Sequence, residues 1–261
     1  MKKVLTIAGS DSSGGAGIQA DIKTMTMHGV YAMSAITALT AQNTTGVREI
    51  YPVTPEFLKQ QIDAVFEDIR PDAVKIGMVS TPEQAEVIAE RLIFYKAKNI
   101  VIDPVAVSTS GSELSMAETY EVLKNKIFPI SVLVTPNIPE AELISGMKIN
   151  APEDIIKISE YISEKYKCSV LCKGGHLKEN ANDFLFSEGK RVWFKGKRLT
   201  DNELHGTGCT LSSAIASNLA KGHSLEKSIQ SAKEYISDCI DSISDIGHGC
   251  KPLNHMKGVL E

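Results

Sequence analysis

Short apolar runs alternate with longer amphipathic stretches from one end of the chain to the other. Val4–Ile7, Ser34–Leu39, Ala73–Ile76, Ile100–Ile102, Val132–Val134 and Ser169–Leu171 have the length and composition of buried strands. Between them, Ile18–His28, Pro55–Asp68, Pro82–Lys96, Ala117–Lys126, Pro139–Ile144 and Pro152–Tyr166 repeat apolar positions at helical spacing. Several of these open on Pro, which costs nothing in a first turn because its missing N–H has no partner there anyway. After Lys173 the pattern changes: Asp183–Phe186 and Arg191–Phe194, separated by Ser187-Glu188-Gly189-Lys190, read as a hairpin. Two helices, Thr210–Lys221 and Ser224–Ile243, close the chain. Such alternation predicts an α/β fold with helices laid on a mainly parallel sheet. With no internal repeat or low-complexity linker, residues 1–261 read as one domain.

Composition narrows the function classes. A net charge of −4 offers no global field for nucleic acid or an anionic membrane, so any phosphate site has to be local. The basic run from Lys190 to Arg198 reads as a solvated hairpin face, since Trp193 and Phe194 are interleaved with charges. No stretch approaches the ~18 apolar residues of a membrane span, and Val4–Ala8 is too short before Gly9 to be a signal-peptide core. Five cysteines, Cys168, Cys172, Cys209, Cys239 and Cys250, are odd in number and lack paired C-x-x-C spacing, so neither a disulfide frame nor a zinc site is indicated. Free thiols and the missing leader predict a cytoplasmic protein.

Candidate chemistry concentrates in three places. Gly9-Ser10-Asp11-Ser12-Ser13-Gly14-Gly15-Ala16-Gly17 follows the first strand and opens a helix, where glycines let backbone approach a ligand and free N–H groups meet it. It matches neither the P-loop nor the dinucleotide fingerprint, and a tight strand-to-helix turn would use the same residues. Asp21 is the first carboxylate beyond it. His205-Gly206-Thr207-Gly208-Cys209-Thr210 precedes a helix of small residues and presents successive N–H groups suited to a migrating phosphoryl. Placement at a helix start is expected to favour the Cys209 thiolate over its ordinary pKa of about 8.5. A glycine-permitted helix start with a buried Cys is the structural alternative. Third, polar residues sit at the carboxyl ends of strands, where open α/β sheets place ligands. Asp103 and Glu140 are oxygen donors suited to Mg²⁺, and Lys173 is a point charge for a phosphate. Asn137 and Glu140 fit equally a helix cap and a first-turn acid.

Together these segments resemble the ribokinase superfamily, and within it the hydroxymethylpyrimidine/phosphomethylpyrimidine kinases of thiamin biosynthesis. The resemblance runs from Ala8–Asp21 through Thr40-Ala41-Gln42-Asn43, Lys75-Ile76-Gly77-Met78, Asp103-Pro104-Val105, Thr135-Pro136-Asn137, Lys173-Gly174-Gly175-His176 and His205–Cys209 to Gly247-His248-Gly249. It implies a single-domain three-layer α/β/α architecture and ATP-dependent phosphorylation of the hydroxymethyl group of an aminopyrimidine, and of its monophosphate. By the same resemblance Gly9, Asp21, Gln42, Met78 and Val105 line the pyrimidine pocket. Gly206, Thr207, Gly208 and Cys209 act on the moving phosphoryl, with Cys209 orienting or deprotonating the hydroxyl. Lys173, Asn137 and Thr207 hold ATP, and Asp103 and Glu140 hold Mg²⁺. Relatives imply a homodimer and a flap at Ala106–Glu113 that excludes water. The tail reads Gly249-Cys250-Lys251-Pro252 where relatives more often have a second His-Gly. Two readings compete: a pyridoxine/pyridoxal kinase of the same branch, and a catalytically silent vitamin-binding protein. Gln42 favours the aminopyrimidine, because a carboxamide both donates to and accepts from the ring edge.

Overall fold

In the computed structural model, residues 1–105, 113–174, 182–196, 204–242 and 245–256 are described. The strands are β1 (Lys3–Ala8), β2 (Tyr31–Ile36), β3 (Ala38–Asn43), β4 (Gly46–Pro52), β5 (Ala73–Ile76), β6 (Ile100–Ile102), β7 (Leu133–Val134), β8 (Ser169–Cys172), β9 (Asp183–Ser187), β10 (Lys190–Phe194), β11 (Leu204–His205) and β12 (Lys251–Pro252). The helices are α1 (Gly17–Met27), α2 (Pro55–Asp68), α3 (Pro82–Phe94), α4 (Glu113–Val122), α5 (Ile138–Ser145), α6 (Pro152–Tyr166), α7 (Thr207–Ala220) and α8 (Leu225–Asp241).

Eight strands form one sheet in the order β10-β9-β8-β7-β6-β5-β1-β2, parallel from β2 to β8 and antiparallel at the β9–β10 edge. Alternation along each strand splits the core in two. Leu5, Ile7, Val74, Ile76, Ile100 and Ile102 meet α2, α3 and α6 on one face. Val4, Ala73, Val101, Leu133 and Leu171 meet α1, α7 and α8 on the other. The expected three-layer α/β/α arrangement is therefore present, with both faces of the parallel strands apolar because both are covered. Chain order reverses at β1, flanked by β2 and β5, and such a switch point opens a crevice at the strand carboxyl ends.

Local chemistry accounts for the boundaries. Thr54 and Thr81 cap α2 and α3, each hydroxyl accepting the N–H three residues on (Phe57 and Gln84, both 3.3 Å), and Pro follows each cap. The β9–β10 turn has Glu188 and Gly189 both at positive φ, as a two-residue hairpin demands. All five cysteines are free, and Cys168 and Cys172 are buried at the β8 strand, as the sequence predicts.

Three expectations needed correction. Ser34–Leu39 is not one strand: β2 ends at Ile36, and Thr37 turns the chain out of the main sheet into the β3–β4 hairpin. That hairpin stayed hidden because neither face packs on the core, which leaves its sequence without apolar alternation. The stretch anticipated as a helix over Ala117–Lys126 begins earlier, at Glu113, and loosens into a π turn over Leu123–Ile127. Finally, α7 starts at Thr207 rather than Thr210, because Gly206 at φ +88° supplies a left-handed cap that a side chain would resist.

One charged pair lies inside this frame. Thr6 and Lys75 are register neighbours on β1 and β5 and point toward α1 and α7. Asp21 from α1 receives both: Lys75 Nζ donates to Oδ1 and Oδ2 (2.8 Å each) and Thr6 Oγ1 to Oδ2 (2.6 Å). Ser213 Oγ of α7 donates to Oδ1 (2.7 Å). All four side chains are solvent-inaccessible. Removing one member leaves an uncompensated buried charge, so Lys75→Met is expected to cost about 3–5 kcal/mol in urea unfolding. The double variant Lys75→Met/Asp21→Leu should recover most of that loss; a double variant as unstable as the single would mean the pair is needed for packing rather than charge balance.

Candidate active site

The two glycine-rich segments meet backbone to backbone. A Cβ on Gly206 would stand 1.9 Å from the Gly15 carbonyl oxygen, and one on Gly17 would stand 2.4 Å from that of Gly9. Those approaches, together with positive φ at Gly14, Gly17 and Gly206, are what the glycines are for. The first α7 bond runs from Thr210 N–H to Gly206 O (2.9 Å), so the amides of Thr207, Gly208 and Cys209 have no partner within the helix and open on the sheet's carboxyl edge. A Cβ on Gly208 would come within 2.8 Å of Asp103 Oδ2 and 3.3 Å of Lys173 Nζ, which sets the α7 start directly against those groups.

Asp103, Glu140 and Lys173 converge. Lys173 Nζ donates to Asp103 Oδ1 at 2.6 Å and stands 3.9 Å from Glu140 Oε2. Burial alone would lower the Lys173 pKa; Asp103 and then Glu140 override it and hold the ammonium above its ordinary value. Asn137 serves α5 as a cap, its Oδ1 accepting the Glu140 N–H (2.8 Å) while Glu140 Oε2 accepts the Asn137 N–H (2.7 Å). Glu140 is thus the first-turn acid of the α5 capping box, and its carboxylate also faces Lys173. Among the described residues no group of three or more His, Cys, Asp or Glu side chains is poised around a metal. Two hard-oxygen carboxylates nonetheless fit Mg²⁺, which keeps most of its waters and takes phosphate oxygens.

At the anticipated pyrimidine end, Gly9 and Met78 are in contact: a Cβ on Gly9 would lie 2.4 Å from Met78 Cε. Val105, half-buried, follows Asp103 through a tight turn in which its N–H donates to Asp103 O (2.8 Å). Gln42 sits at a bulge in β3, where its carboxamide reaches His205 (3.1 Å). Asp21 lies elsewhere. Its carboxylate is wholly buried and taken up by Lys75, Thr6 and Ser213, so its place is beneath the site and not in its wall. Of the anticipated flap at Ala106–Glu113, residues 106–112 lie outside the described residues, as do Gly175 and His176, while Glu113 opens α4.

Sequence reading missed four participants. Lys75 passed as part of a motif, although a lone Lys in the four-residue apolar strand Ala73-Val74-Lys75-Ile76 was a usable signal. Asp11 and His205 were quoted within their segments but not paired; Asp11 Oδ2 is 2.8 Å from His205 Nε2 across 194 residues of chain. Thr44 was missed outright. Its hydroxyl accepts the His248 and Gly249 N–H groups (3.2 Å each) and its carbonyl the Cys250 N–H (2.9 Å), which ties the tail to the β3–β4 turn.

A family model described as phosphomethylpyrimidine kinase matches residues 11–254. The chain belongs to the phosphomethylpyrimidine kinase family. It is 42% identical to the hydroxymethylpyrimidine/phosphomethylpyrimidine kinase of Bacillus subtilis, over 97% of this chain and 94% of that one. With the thiamine biosynthesis bifunctional protein ThiED of Geobacter sulfurreducens it shares 45% identity over 97% of its length, and it spans about half, 52%, of that longer protein. Among solved structures, the phosphomethylpyrimidine kinase of Clostridium difficile superposes with a TM-score of 0.82 at 47% identity, covering 92% of this chain and 100% of that one. An ADP complex of Bacillus subtilis pyridoxal kinase reaches 0.91 at 34% identity, covering 98% of each.

Within this phosphomethylpyrimidine kinase family member, electrostatics at Cys209 overturn one sequence expectation. A helix start was expected to favour the thiolate; burial instead pushes the thiol up to about 11. Lys75 pulls it down, Asp21 and Asp103 push it up, and the Gly17 N–H pulls it down again. In the ligand-free site Cys209 is therefore a protonated thiol near neutral pH. Its alkylation by iodoacetamide, followed on the Cys209 peptide by mass spectrometry, should accelerate about tenfold per pH unit from about pH 7 to 10. A plateau near pH 8 would show the helix start prevailing over burial.

Proposed function

We propose that this chain transfers the terminal phosphoryl group of ATP to the hydroxymethyl group of 4-amino-5-hydroxymethyl-2-methylpyrimidine, and then to the monophosphate so formed. The observation that carries this reading is the set of helix-start amides, Thr207 to Cys209, facing Asp103 and Lys173 across the switch point. Pure ligand binding has no use for that combination. Cytoplasmic placement and a homodimer belong to the same reading. No helix among the described residues is long and apolar enough to cross a membrane.

The residues divide the work as follows. Gln42, Met78, Val105 and Gly9 hold the pyrimidine, carboxamide to ring edge and apolar surface to ring face. Cys209 meets the hydroxymethyl oxygen. As a neutral thiol it is no base: it orients the alcohol through a sulfur lone pair, and the hydroxyl proton passes to an oxygen of the transferred phosphoryl once the forming O–P bond makes it acidic, which a loose phosphoryl-transfer transition state tolerates. The N–H groups of Thr207, Gly208 and Cys209 then stabilise the charge on the moving group. Lys173 contributes a positive charge to the nucleotide phosphates, and Asn137 supports the same side as the cap that orders Glu140. Bound Mg²⁺, held by Asp103 and Glu140, would supply charge neutralisation and a template for phosphate oxygens.

A second substrate is favoured by one observation: the pyridoxal kinase of Bacillus subtilis matches this fold at least as closely as the pyrimidine kinase structure does. Phosphate-transfer assays with Mg-ATP and the pyrimidine alcohol, its monophosphate and pyridoxal offered separately decide the matter. Turnover of both pyrimidines is expected; exclusive turnover of pyridoxal would overturn the substrate choice, and no turnover of any would leave a silent binder. In the same assay Gly208→Ala, whose methyl would intrude on Asp103 and displace the helix-start amides, should lower kcat by about 10²-fold. A change confined to KM would remove those amides from the transfer step.

A further inference from the structure

The recognition amide of Gln42 is held between two neighbours that demand opposite ends of it. As placed, its Nε2 lies 3.1 Å from His205 Nε2 and its Oε1 3.2 Å from Thr40 Oγ1, and the hydrogen-bonding needs of those neighbours call for the reverse. A half-turn about the last bond exchanges amide oxygen and nitrogen without moving another atom, so the neighbours decide which end faces which.

His205 is fixed first. Its Nε2 stands 2.8 Å from Asp11 Oδ2. That same oxygen accepts the Gly15 N–H (3.0 Å) and the Ala16 N–H (2.8 Å), while Oδ1 accepts the Ser13 N–H (2.9 Å) and hydroxyl (2.7 Å). These four donors converging on one carboxylate favour its ionised form against a burial that alone would raise its pKa, which lies well below the usual carboxylate range. An imidazole nitrogen at 2.8 Å from such an oxygen has to carry a proton, since a lone pair there would be repelled. Nε2 is therefore a donor, and the amide end facing it is the carbonyl.

Thr40 gives the same answer independently. Its hydroxyl donates to Ser10 O at 2.8 Å, which turns a lone pair toward Gln42 and requires an amide N–H there. Both constraints are satisfied by one orientation: carbonyl toward His205, NH₂ toward Thr40.

We infer that His205 is a positioning residue that sets the polarity of the pyrimidine-recognition edge. With one lone pair and one N–H engaged, Gln42 keeps its remaining acceptor on the His205 side and its remaining donor on the Thr40 side. A ligand is accepted when its donor and acceptor come in that order, as the exocyclic amino group and adjacent ring nitrogen of an aminopyrimidine can. The bulge between Ala41 and Gln42 aims the side chain there, and Ser12, bonded to the Gln42 backbone through its hydroxyl in both directions (2.7 and 2.9 Å), holds the bulge. His205 directly precedes Gly206, so the edge that reads the ring is also tied to the start of α7.

This inference deepens the proposed pyrimidine reading and rests on it for the identity of the ligand, but not for the proton position. Long-range ¹H–¹⁵N correlation on the ¹⁵N-labelled full chain should show His205 with a proton on Nε2; a neutral ring protonated on Nδ1 alone overturns the inference whatever the substrate proves to be. Steady-state kinetics supply the second arm. His205→Met, which has no donor, should raise KM for the pyrimidine alcohol about tenfold while changing kcat less than about threefold. His205→Gln, whose amide N–H can occupy the Nε2 position, should restore KM to within about threefold of the parent. Equal KM values for the two variants, or a loss confined to kcat, would overturn the assignment. If the parent chain fails to phosphorylate the pyrimidine alcohol, the functional reading fails and the proton position still decides whether His205 orders the Gln42 amide.

Discussion

A lysine ammonium sealed under the floor of the site is the constraint on which the rest depends. Lys75 is solvent-inaccessible, and burial alone would push its proton off; Asp21, aided by Asp103, keeps it charged and its pKa raised. That requirement reaches in three directions at once. It fixes β5 to β1 through Thr6, draws α1 in through Asp21, and seats α7 through Ser213. Because α7 is pinned this way, its first turn has a defined position against Asp103. The small residues Ser212, Ser213, Ala214, Ala216 and Ser217 follow from the same need, since only short side chains let a helix lie this close over a parallel sheet with a polar cluster beneath it.

The charge balance above that floor is organised for a visitor carrying negative charge. Lys173 is neutralised by Asp103 and Glu140, so the open edge is not a standing cation that would attract any anion. Phosphate oxygens arriving with their own cation would let the carboxylates and the ammonium separate into partners of opposite sign. Gly208 is what makes this exchange local, because a side chain there would hold α7 away from both groups. The helix-start amides contribute without any charge to desolvate, which is the usual advantage of backbone donors near a migrating phosphoryl.

Much of this was legible in the chain itself. The main-sheet strands and the helices announced themselves because each buries a face, and burial leaves a period; α2 and α6 match their sequence bounds residue for residue. The glycine segments were legible as close-approach sites because no other residue tolerates such geometry. The β3–β4 hairpin was not legible, since its inner face meets the polar site and not the apolar core, which leaves no hydrophobic period to read. Asp21 was misplaced for a related reason: a carboxylate in a motif looks the same whether it points at a ligand or at a buried lysine, and only the Thr6–Lys75 register tells them apart. The Asp11–His205–Gln42 contact joins three segments far apart in sequence, and no local pattern encodes such a meeting.

The state of Cys209 follows from its surroundings and not from its helix position. A first-turn site favours a thiolate by the partial charge of a few amides, an effect that fades with distance and solvent. Here Asp21 and Asp103 stand on the unfavourable side, Lys75 and the Gly17 N–H on the favourable side, and burial decides. A permanently ionised group at this point would add a third negative charge close to Asp21 and Asp103 and, on the proposed reading, would repel the phosphate brought to the helix-start amides. A neutral thiol avoids that conflict: it can sit beside an incoming phosphoryl without repulsion and orient an alcohol through a sulfur lone pair, leaving the alcohol's proton to pass to a phosphoryl oxygen as the forming O–P bond makes that proton acidic. The same carboxylates that make Cys209 a poor standing base therefore make a neutral side chain the better occupant of the position.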